Sequence, residues 1–213
     1  MLLDSTVEQR IAQALAENAD VLDLRALRLE RVPESVRELT GIAHLRLPFN
    51  RIAEIPDWLG ELRSLRELDM TGNRLHDLPD PLANLASLRE LRLAGNAFVS
   101  VPPCLRSFGS LDVLDLSDNH ITVIPEWFGE YPSLTLLDLH GNLLESLPAS
   151  LGDLSSLTRL DVADNELGEL PESLARLSSL KELDASGNNL DEVPEWAMHL
   201  VGEDWDEDEE EEG

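Results

Sequence analysis

Residues 134–154 read LTLLDLHGNLLESLPASLGDL and follow the pattern L-x-x-L-x-L-x-x-N-x-L-x-x-L-P-x-x-L-x-x-L. The pattern returns every 23 residues along the chain. An asparagine marks its position at Asn50, Asn73, Asn96, Asn119, Asn142, Asn165 and Asn188. A proline keeps the same period at Pro33, Pro56, Pro79, Pro102, Pro125, Pro148, Pro171 and Pro194. This regular self-similarity predicts eight repeats, each one a structural unit stacked on the next.

The Leu-x-Leu step, such as Leu137 and Leu139, predicts a short strand with one buried face, because side chains alternate between the two faces of a strand. Stacked repeats then pair these strands into a parallel sheet. The asparagine follows the strand, where the chain must turn. Its amide both donates and accepts hydrogen bonds, so we expect the seven asparagines to form a buried ladder that satisfies the backbone of the turns.

The Leu-Pro step fixes φ and ends the regular strand pairing. The return segment after it buries two more apolar residues, such as Leu151 and Leu154, and we expect it to be irregular or 3₁₀-helical. A single repeat buries too little apolar surface to fold alone, so stability belongs to the stack. The predicted fold is an α/β repeat solenoid. It is a right-handed superhelix in a horseshoe arc, with a parallel concave sheet and an irregular or 3₁₀ convex side.

The first repeat needs a cap over its open end. Ser5 and Glu8 have the spacing of a capping box at the start of a helix. Apolar residues at helical spacing follow, namely Val7, Ile11, Ala14 and Leu15. We therefore predict an N-terminal capping helix over residues 5–17, with these four side chains on its buried face.

The chain divides into three segments. Residues 1–20 form the N-terminal cap, and residues 21–202 form the repeat domain. Residues 203–213 carry nine acidic side chains and no basic one. This segment has too few apolar residues to fold, so we predict a disordered acidic tail.

The charge distribution indicates which classes of partner the protein can bind. The net charge is −27, and residues 107–202 contain 18 acidic but only 3 basic side chains. Such a surface repels phosphate backbones and anionic lipid, so we expect neither nucleic acid nor membrane as a partner. A protein with a basic surface is the better match. The alternative interpretation is that the charge serves solubility alone.

Cysteine use and the first residues bear on localisation. Cys104 is the single cysteine, so an internal disulfide framework is ruled out, which fits a reducing compartment. The first residues lack a basic stretch followed by an apolar run, and no stretch approaches the roughly 18 apolar residues of a membrane span. We expect a cytoplasmic protein, and a monomer.

The repeats resemble the leucine-rich-repeat family, in the 23-residue subtype with Leu-Pro in its second half. Ras-binding leucine-rich scaffold proteins of animals, plant intracellular Ras-group-related repeat proteins and many bacterial repeat proteins are similar. The resemblance covers residues 21–200 and is specific for the fold. It implies a curved solenoid whose concave face or rim holds a protein ligand. The repeat motif carries no catalytic residue, and enzymes of the family have separate catalytic domains.

The residues between the two buried leucines of each strand point away from the core. This middle column reads Asp23, Arg46, Asp69, Arg92, Asp115, Asp138, Asp161 and Asp184. Charges alternate as far as Asp115, which predicts cross-strand ion pairs, and the last four aspartates then follow one another. These four are candidate contacts for Lys or Arg of a partner. Two other interpretations stay open: water-screened aspartate as a frequent family choice, and a cation site.

The flanking column reads Val21, His44, Glu67, Glu90, Val113, Leu136, Arg159 and Glu182. Val113 and Leu136 form its one apolar pair, beside two of the aspartates, which resembles an interface core with a charged rim. We include Arg159 and Glu182 in the predicted protein-binding face. The third column is mostly small, which lets a partner approach closely. Adjacent aliphatic residues are also common on any surface.

Sequence motifs for catalysis are lacking. None of the five histidines has a cysteine or second histidine at metal-ligand spacing, and neither a phosphate-binding loop nor a nucleophile elbow occurs. We expect no catalytic residue, no metal site and no cofactor. The leading hypothesis is a non-catalytic protein-binding scaffold. The alternatives are a regulatory subunit of a signalling complex, such as a GTPase or phosphatase assembly, and an exported effector.

Overall fold

The computed structural model describes residues 2–200, and the side chains of residues 6–200. Residues 201–213, which include the predicted acidic tail, lie outside the described residues. The helix α1 spans Leu2–Glu17 and so begins before the predicted start. Ser5 lies inside this helix, so its predicted role as the N-cap is wrong. Leucine is a good helix former, and no glycine or proline precedes Ser5 to delay the helix start.

One face of α1 covers the first repeat. Val7, Ile11 and Ala14 are buried in the core that continues into the repeats. Leu15 is 41% exposed, so its predicted place on this face is wrong. Successive helix residues are about 100° apart, which turns Leu15 away from the face that Ala14 shares with Ile11 and Val7. Between residues 2 and 200, no helix is both long and apolar enough to cross a membrane.

Residues 2–200 contain one parallel sheet of eight strands that lie in chain order. The strands are β1 Val21–Asp23, β2 His44–Arg46, β3 Glu67–Asp69, β4 Glu90–Arg92, β5 Val113–Asp115, β6 Leu136–Asp138, β7 Arg159–Asp161 and β8 Glu182–Asp184. Each strand pairs with the next at an offset of one repeat, so Leu114 lies beside Leu137. The predicted repeat solenoid with a parallel sheet is confirmed.

The core is a single column of mainly aliphatic side chains behind the sheet, with Phe98, Phe108, Phe128 and Tyr131 among them. Leu114 and Leu116, the two inward positions of one strand region, are fully buried. The same positions are buried in the other repeats, and the core runs without interruption from Val7 to Ala197. Full burial of a leucine side chain contributes about 1.5–3 kcal/mol. These leucines pack against the neighbouring repeats, so the stabilisation depends on the stack.

Short 3₁₀ helices form the opposite side of each coil. In the described residues they span Glu34–Glu38, Asp57–Glu61, Asp80–Asn84, Pro103–Ser107, Glu126–Glu130, Ala149–Asp153 and Glu172–Arg176. The proline that recurs every 23 residues precedes each of these helices in an extended conformation, as at Pro148 with φ −69° and ψ 143°. The eighth repeat differs, because turns follow Pro194. The 3₁₀ structure predicted for the convex side is confirmed.

Glycines allow some of these 3₁₀ helices to touch. A Cβ on Gly60, Gly129 or Gly152 would overlap a backbone carbonyl oxygen of the next repeat. For Gly152 that oxygen belongs to Ser173. The bare Cα is therefore what permits close approach at these positions.

The asparagines lie beneath the turn that follows each strand, and all are buried except Asn188 in the last repeat, which is half-buried. The amide nitrogen of Asn119 donates to the carbonyl oxygens of Leu93, Leu116 and Ser117 at 3.1, 3.0 and 2.9 Å. Its Oδ1 accepts the backbone N–H of Phe98 at 3.1 Å. Leu93 and Phe98 belong to the preceding repeat, so one side chain ties two coils together. The other six asparagines donate in the same pattern.

Candidate functional site

The candidate site is the concave face of β5 to β8. Strand pairing places the four successive aspartates of the middle column side by side. Neighbouring strands lie about 4.8 Å apart, so the four carboxylates occupy one narrow line across the sheet. We call this line the acidic stripe; it consists of Asp115, Asp138, Asp161 and Asp184.

Each aspartate of the acidic stripe accepts a hydrogen bond from the backbone two residues further along. At Asp115 the donor is the N–H of Ser117, at 3.0 Å, and at Asp138 it is the N–H of His140, at 3.1 Å. The other two aspartates accept the equivalent bond at 3.2 and 3.1 Å. The bond engages Oδ1 and gives aspartate a structural reason to occupy this column.

Sequence reasoning missed this backbone bond. The signal that could have revealed it is at Arg46, one of the two positions where the column has no aspartate. The residue two further along is Pro48, which has no backbone N–H to donate. An aspartate at position 46 would have no backbone N–H to accept, so this position of the column can hold an arginine instead.

The N-terminal half of the concave face compensates its own charge around Glu67, which is 5% exposed. Arg46 donates to the two carboxylate oxygens of Glu67 from Nε at 2.6 Å and from Nη2 at 2.8 Å. The Nδ1 atom of His44 lies 2.8 Å from Oε2, and Nη1 of Arg92 lies 3.9 Å from Oε1. The hydrogen bonds from Arg46 outweigh burial and lower the pKa of Glu67 to about 2, with a further contribution from His44.

The ion pairs predicted within the middle column do not form among the described residues. Arg46 pairs with Glu67, and Arg92 pairs with Glu90 and Glu67, all in the flanking column. Asp23 pairs with Arg25 of its own repeat. The prediction was wrong because the aspartates are held to their own backbone, whereas the longer glutamates reach across to the guanidinium groups.

The C-terminal half of the concave face has less compensation. Arg159 is the one arginine in its columns from β5 to β8. Its guanidinium lies 3.1 Å from Glu182 and 3.5 Å from Asp161. Two aspartates at the start of the acidic stripe, Asp115 and Asp138, form no ion pair with a described residue. The stripe therefore holds more negative charge than its surroundings neutralise.

The uncompensated charge of the acidic stripe affects the pKa of Asp138. Burial, together with the neighbouring carboxylates of Asp115 and Asp161, raises the pKa of Asp138 to about 6. The hydrogen bond from the His140 backbone acts in the opposite direction but does not cancel these effects. Like charges on adjacent strands repel one another, so a cation that settled on the stripe would relieve an existing strain.

An apolar step borders the acidic stripe. Val113 and Leu136 are register partners on β5 and β6, and each is half-buried. On the other side of the stripe, Ser117 and Ala163 are small and buried, while His140 is partly exposed. The structure thus brings all eight predicted contact residues onto one continuous face, with Arg159 and Glu182 at its C-terminal end.

The described side chains offer little for metal or thiol chemistry. Across residues 6–200, no three His, Cys, Asp or Glu side chains are grouped so that they could hold a metal ion. Cys104 is a buried free cysteine, and burial raises the pKa of its thiol to about 12. A thiol with so high a pKa is a poor nucleophile at neutral pH, so Cys104 acts as a packing residue.

Comparisons with known proteins agree with this architecture. The family model for the leucine rich repeat matches residues 40–98, 86–144 and 145–190. No curated protein matches the sequence significantly.

Many solved structures share the fold. A leucine-rich-repeat protein of Leptospira interrogans is 25% identical with a TM-score of 0.69, and the match covers 89% of this chain and 67% of that one. An internalin of Listeria monocytogenes is 24% identical with a TM-score of 0.72, covering 80% and 48%. The ectodomain of the Arabidopsis thaliana receptor kinase GASSHO1/SCHENGEN3 is 33% identical with a TM-score of 0.72, covering 81% and 22%.

The chain spans about half of the internalin and less than a quarter of the receptor ectodomain, so these two likenesses concern the repeats. The family model matches well over half of the chain, and it follows the same repeats that form the sheet and the asparagine ladder. The chain therefore belongs to the leucine-rich repeat family.

Proposed function

We propose that this protein is a non-catalytic scaffold that binds a protein with a basic surface on the concave face of β5 to β8. Leucine-rich-repeat proteins are generally non-catalytic interaction modules, so a protein-interaction scaffold is the function that the fold supports in general. The observation that carries the more specific proposal is the contrast between the two halves of the concave face.

Charge supports a basic partner. Around Glu67, the guanidinium groups of Arg46 and Arg92 and the imidazole of His44 surround one buried carboxylate, and that half of the face presents little free charge. On the acidic stripe the carboxylates instead face one another, and the pKa of Asp138 is raised. Lys or Arg side chains of a partner would supply the missing cations. Charge complementarity of this kind mainly sets specificity and association rate.

Apolar contact supports the same location. Val113 and Leu136 lie beside Asp115 and Asp138, two of the three stripe aspartates that lack an ion-pair partner among the described residues. A partner that covers this step would exclude water from the neighbouring carboxylates and strengthen their interaction with its cations. One neighbouring structure offers an analogy, because the GASSHO1/SCHENGEN3 ectodomain is seen in complex with Casparian Strip Integrity Factor 2. A cytoplasmic location remains part of the proposal, and the single buried thiol of Cys104 is compatible with it.

The test compares two variants of equal net charge. In the first, the four aspartates of the acidic stripe are changed to asparagine, which keeps the Oδ1 acceptor for the backbone bond. In the second, four exposed glutamates without a described ion-pair partner are changed to glutamine: Glu145, Glu166, Glu169 and Glu172. Each protein is immobilised, exposed to lysate of the source organism at about 0.15 M salt, and its bound proteins are quantified by mass spectrometry.

We expect wild type and the glutamine variant to recover the same basic proteins and the asparagine variant to lose them. Both variants must show the unfolding midpoint of a folded repeat domain. Recovery of the same proteins by all three would exclude the acidic stripe as the binding site. Loss in both variants would mean that net charge, rather than this face, attracts the partners.

A further inference from the structure

A second surface lies at the opposite end of the solenoid, where α1 leaves part of the first repeat uncovered. A cavity of about 480 Å³ opens there, and its apolar wall is formed by Val7, Leu27, Leu29 and Pro33. Leu27 and Leu29 are only partly buried, because no preceding repeat packs against them. Small-molecule and side-chain pockets commonly measure about 300–1,000 Å³, so this cavity is large enough for a bulky aromatic side chain.

Arginines border this cavity in a protein that is otherwise strongly acidic. Arg28 lines the cavity, and the equivalent residues of the next two repeats are Arg51 and Arg74. Backbone bonds hold the three coils in register: the Arg51 N–H donates to Leu29 O at 2.7 Å, and the Arg74 N–H donates to Ile52 O at 2.9 Å. All three arginine side chains are exposed, and none forms an ion pair with a described residue.

The cavity wall itself carries charges of both signs. Arg31 adds a fourth guanidinium, and Glu8 and Glu30 contribute two carboxylates. Glu54 and Asp77, the equivalents of Arg31 in the next two repeats, add two more exposed carboxylates, so the attraction for anions comes from the three arginines without a described ion pair.

Phe49 precedes Arg51 by two residues. Its side chain is 64% exposed and its backbone is left-handed, with φ 58°. Later repeats place Gly or Asp at this position, residues that adopt this conformation more easily. A Cβ on Gly72 would lie 2.7 Å from Cδ1 of Phe49, so the ring rests where that glycine leaves room. An exposed aromatic held in a costly conformation is a reason to look for a ligand.

We propose that this N-terminal edge, made of the cavity, Arg28, Arg51, Arg74 and Phe49, binds the acidic segment 203–213 of a second copy of the chain. That segment reads EDWDEDEEEEG and combines one tryptophan, Trp205, with nine carboxylates. The indole fills the apolar cavity, and the acids after it pair with the arginines. The contact is head-to-tail, so it links successive copies into linear oligomers. The proposal therefore departs from the monomer that the sequence analysis expected.

Charge favours a second copy over the same copy. To reach the N-terminal edge of its own chain, the segment would have to run back along the C-terminal repeats, where residues 107–202 carry 18 acidic and only 3 basic side chains and repel it. Approach from outside avoids that surface. The net charge of −27 opposes association at long range, but at about 0.15 M salt the Debye length is about 8 Å, and close arginine–carboxylate contacts are screened least.

The test uses sedimentation velocity of the full chain over a range of concentrations at about 0.15 M salt. One variant is Trp205→Ala, which alters the segment. The other is Arg51→Glu with Arg74→Glu, which alters the edge. Its control is Arg63→Glu with Arg66→Glu, which makes the same change in charge at two exposed arginines away from the edge.

We expect wild type and the control to sediment faster as concentration rises, and both altered proteins to remain monomers. An equimolar mixture of the two altered proteins should form dimers and nothing larger, since one retains an intact edge and the other an intact segment. Monomeric wild type at every concentration would overturn the proposal. So would a mixture without dimers, which would be the result if the segment bound its own chain.

Discussion

Asn119 accepts the backbone N–H of Phe98, a residue of the preceding repeat, at 3.1 Å. Both residues are buried, so neither group has water as an alternative partner. The same amide donates to three carbonyl oxygens. One side chain therefore satisfies four backbone groups in two coils, and the stack depends on it more than on any single surface contact.

Replacement of Asn119 by alanine should lower the free energy of unfolding by about 2–4 kcal/mol, because each orphaned buried group costs about 1–3 kcal/mol and entering water relieves part of this. Urea unfolding at neutral pH measures the change. The control is Asn189→Ala, since Asn189 is exposed and its side chain bonds to no described residue. Equal losses in the two variants would show that the buried ladder has no special role.

Close approach of 3₁₀ helices gives a second prediction. Gly152→Ala should destabilise the protein by about 1–3 kcal/mol, because the new Cβ overlaps the Ser173 carbonyl oxygen and backbone must shift. Gly168→Ala provides the control, as nothing lies within 4 Å of a Cβ there. Thermal unfolding should leave Gly168→Ala within about 0.5 kcal/mol of wild type. A Gly152→Ala protein as stable as wild type would mean that these helices separate at little cost.

The repeat period alone predicts the sheet, its register and the place of each asparagine, because every coil must bury the same leucines against its neighbours. It does not predict which charges meet. Arg46 has Asp23 and Asp69 on the neighbouring strands, yet it bonds to Glu67. Which carboxylate Arg46 pairs with depends on side-chain length and on the backbone N–H groups that already bind the aspartates. The order of residues in the column does not reveal these contacts.

The hydrogen-bonded site around Glu67 makes stability depend on pH. The pKa of Glu67 is lowered from 4.5 to about 2, so its contribution is fully present above pH 4.5 and is lost as pH falls towards 2. The contribution is of the order of 3 kcal/mol. Wild type should therefore lose its advantage over Glu67→Gln across this range, as measured by urea unfolding at successive pH values. Glu145→Gln, at an exposed position, should change stability equally at every pH.

At the candidate site, too, the sequence predicts some features and not others. The acidic stripe follows directly from the repeat, because residues 23 apart must become neighbours. The raised pKa of Asp138 does not follow, since it needs burial by the surrounding side chains as well as proximity to Asp115 and Asp161. The N-terminal cavity was also not predicted, because it arises from what α1 leaves uncovered.

Asp138 allows the proposed binding role to be separated from a structural one. Its pKa is raised from 3.8 to about 6, so the folded state favours the protonated form, and stability falls as pH rises from 3.8 to 6. Asp138→Asn removes this penalty and keeps an acceptor for the His140 N–H. The variant should gain about 1–3 kcal/mol at pH 7 and nothing below pH 4, as followed by urea unfolding.

The same variant should bind its basic partner less well at pH 7, because one carboxylate of the acidic stripe is missing. A protein that becomes more stable while losing affinity would indicate that the chain retains Asp138 for binding, at a cost in stability. Asp191→Asn is the control, since Asp191 is exposed and forms no ion pair with a described residue. Should Asp138→Asn instead destabilise the protein at pH 7, the carboxylate would be a structural element, and the acidic stripe would lose its main support as a docking surface.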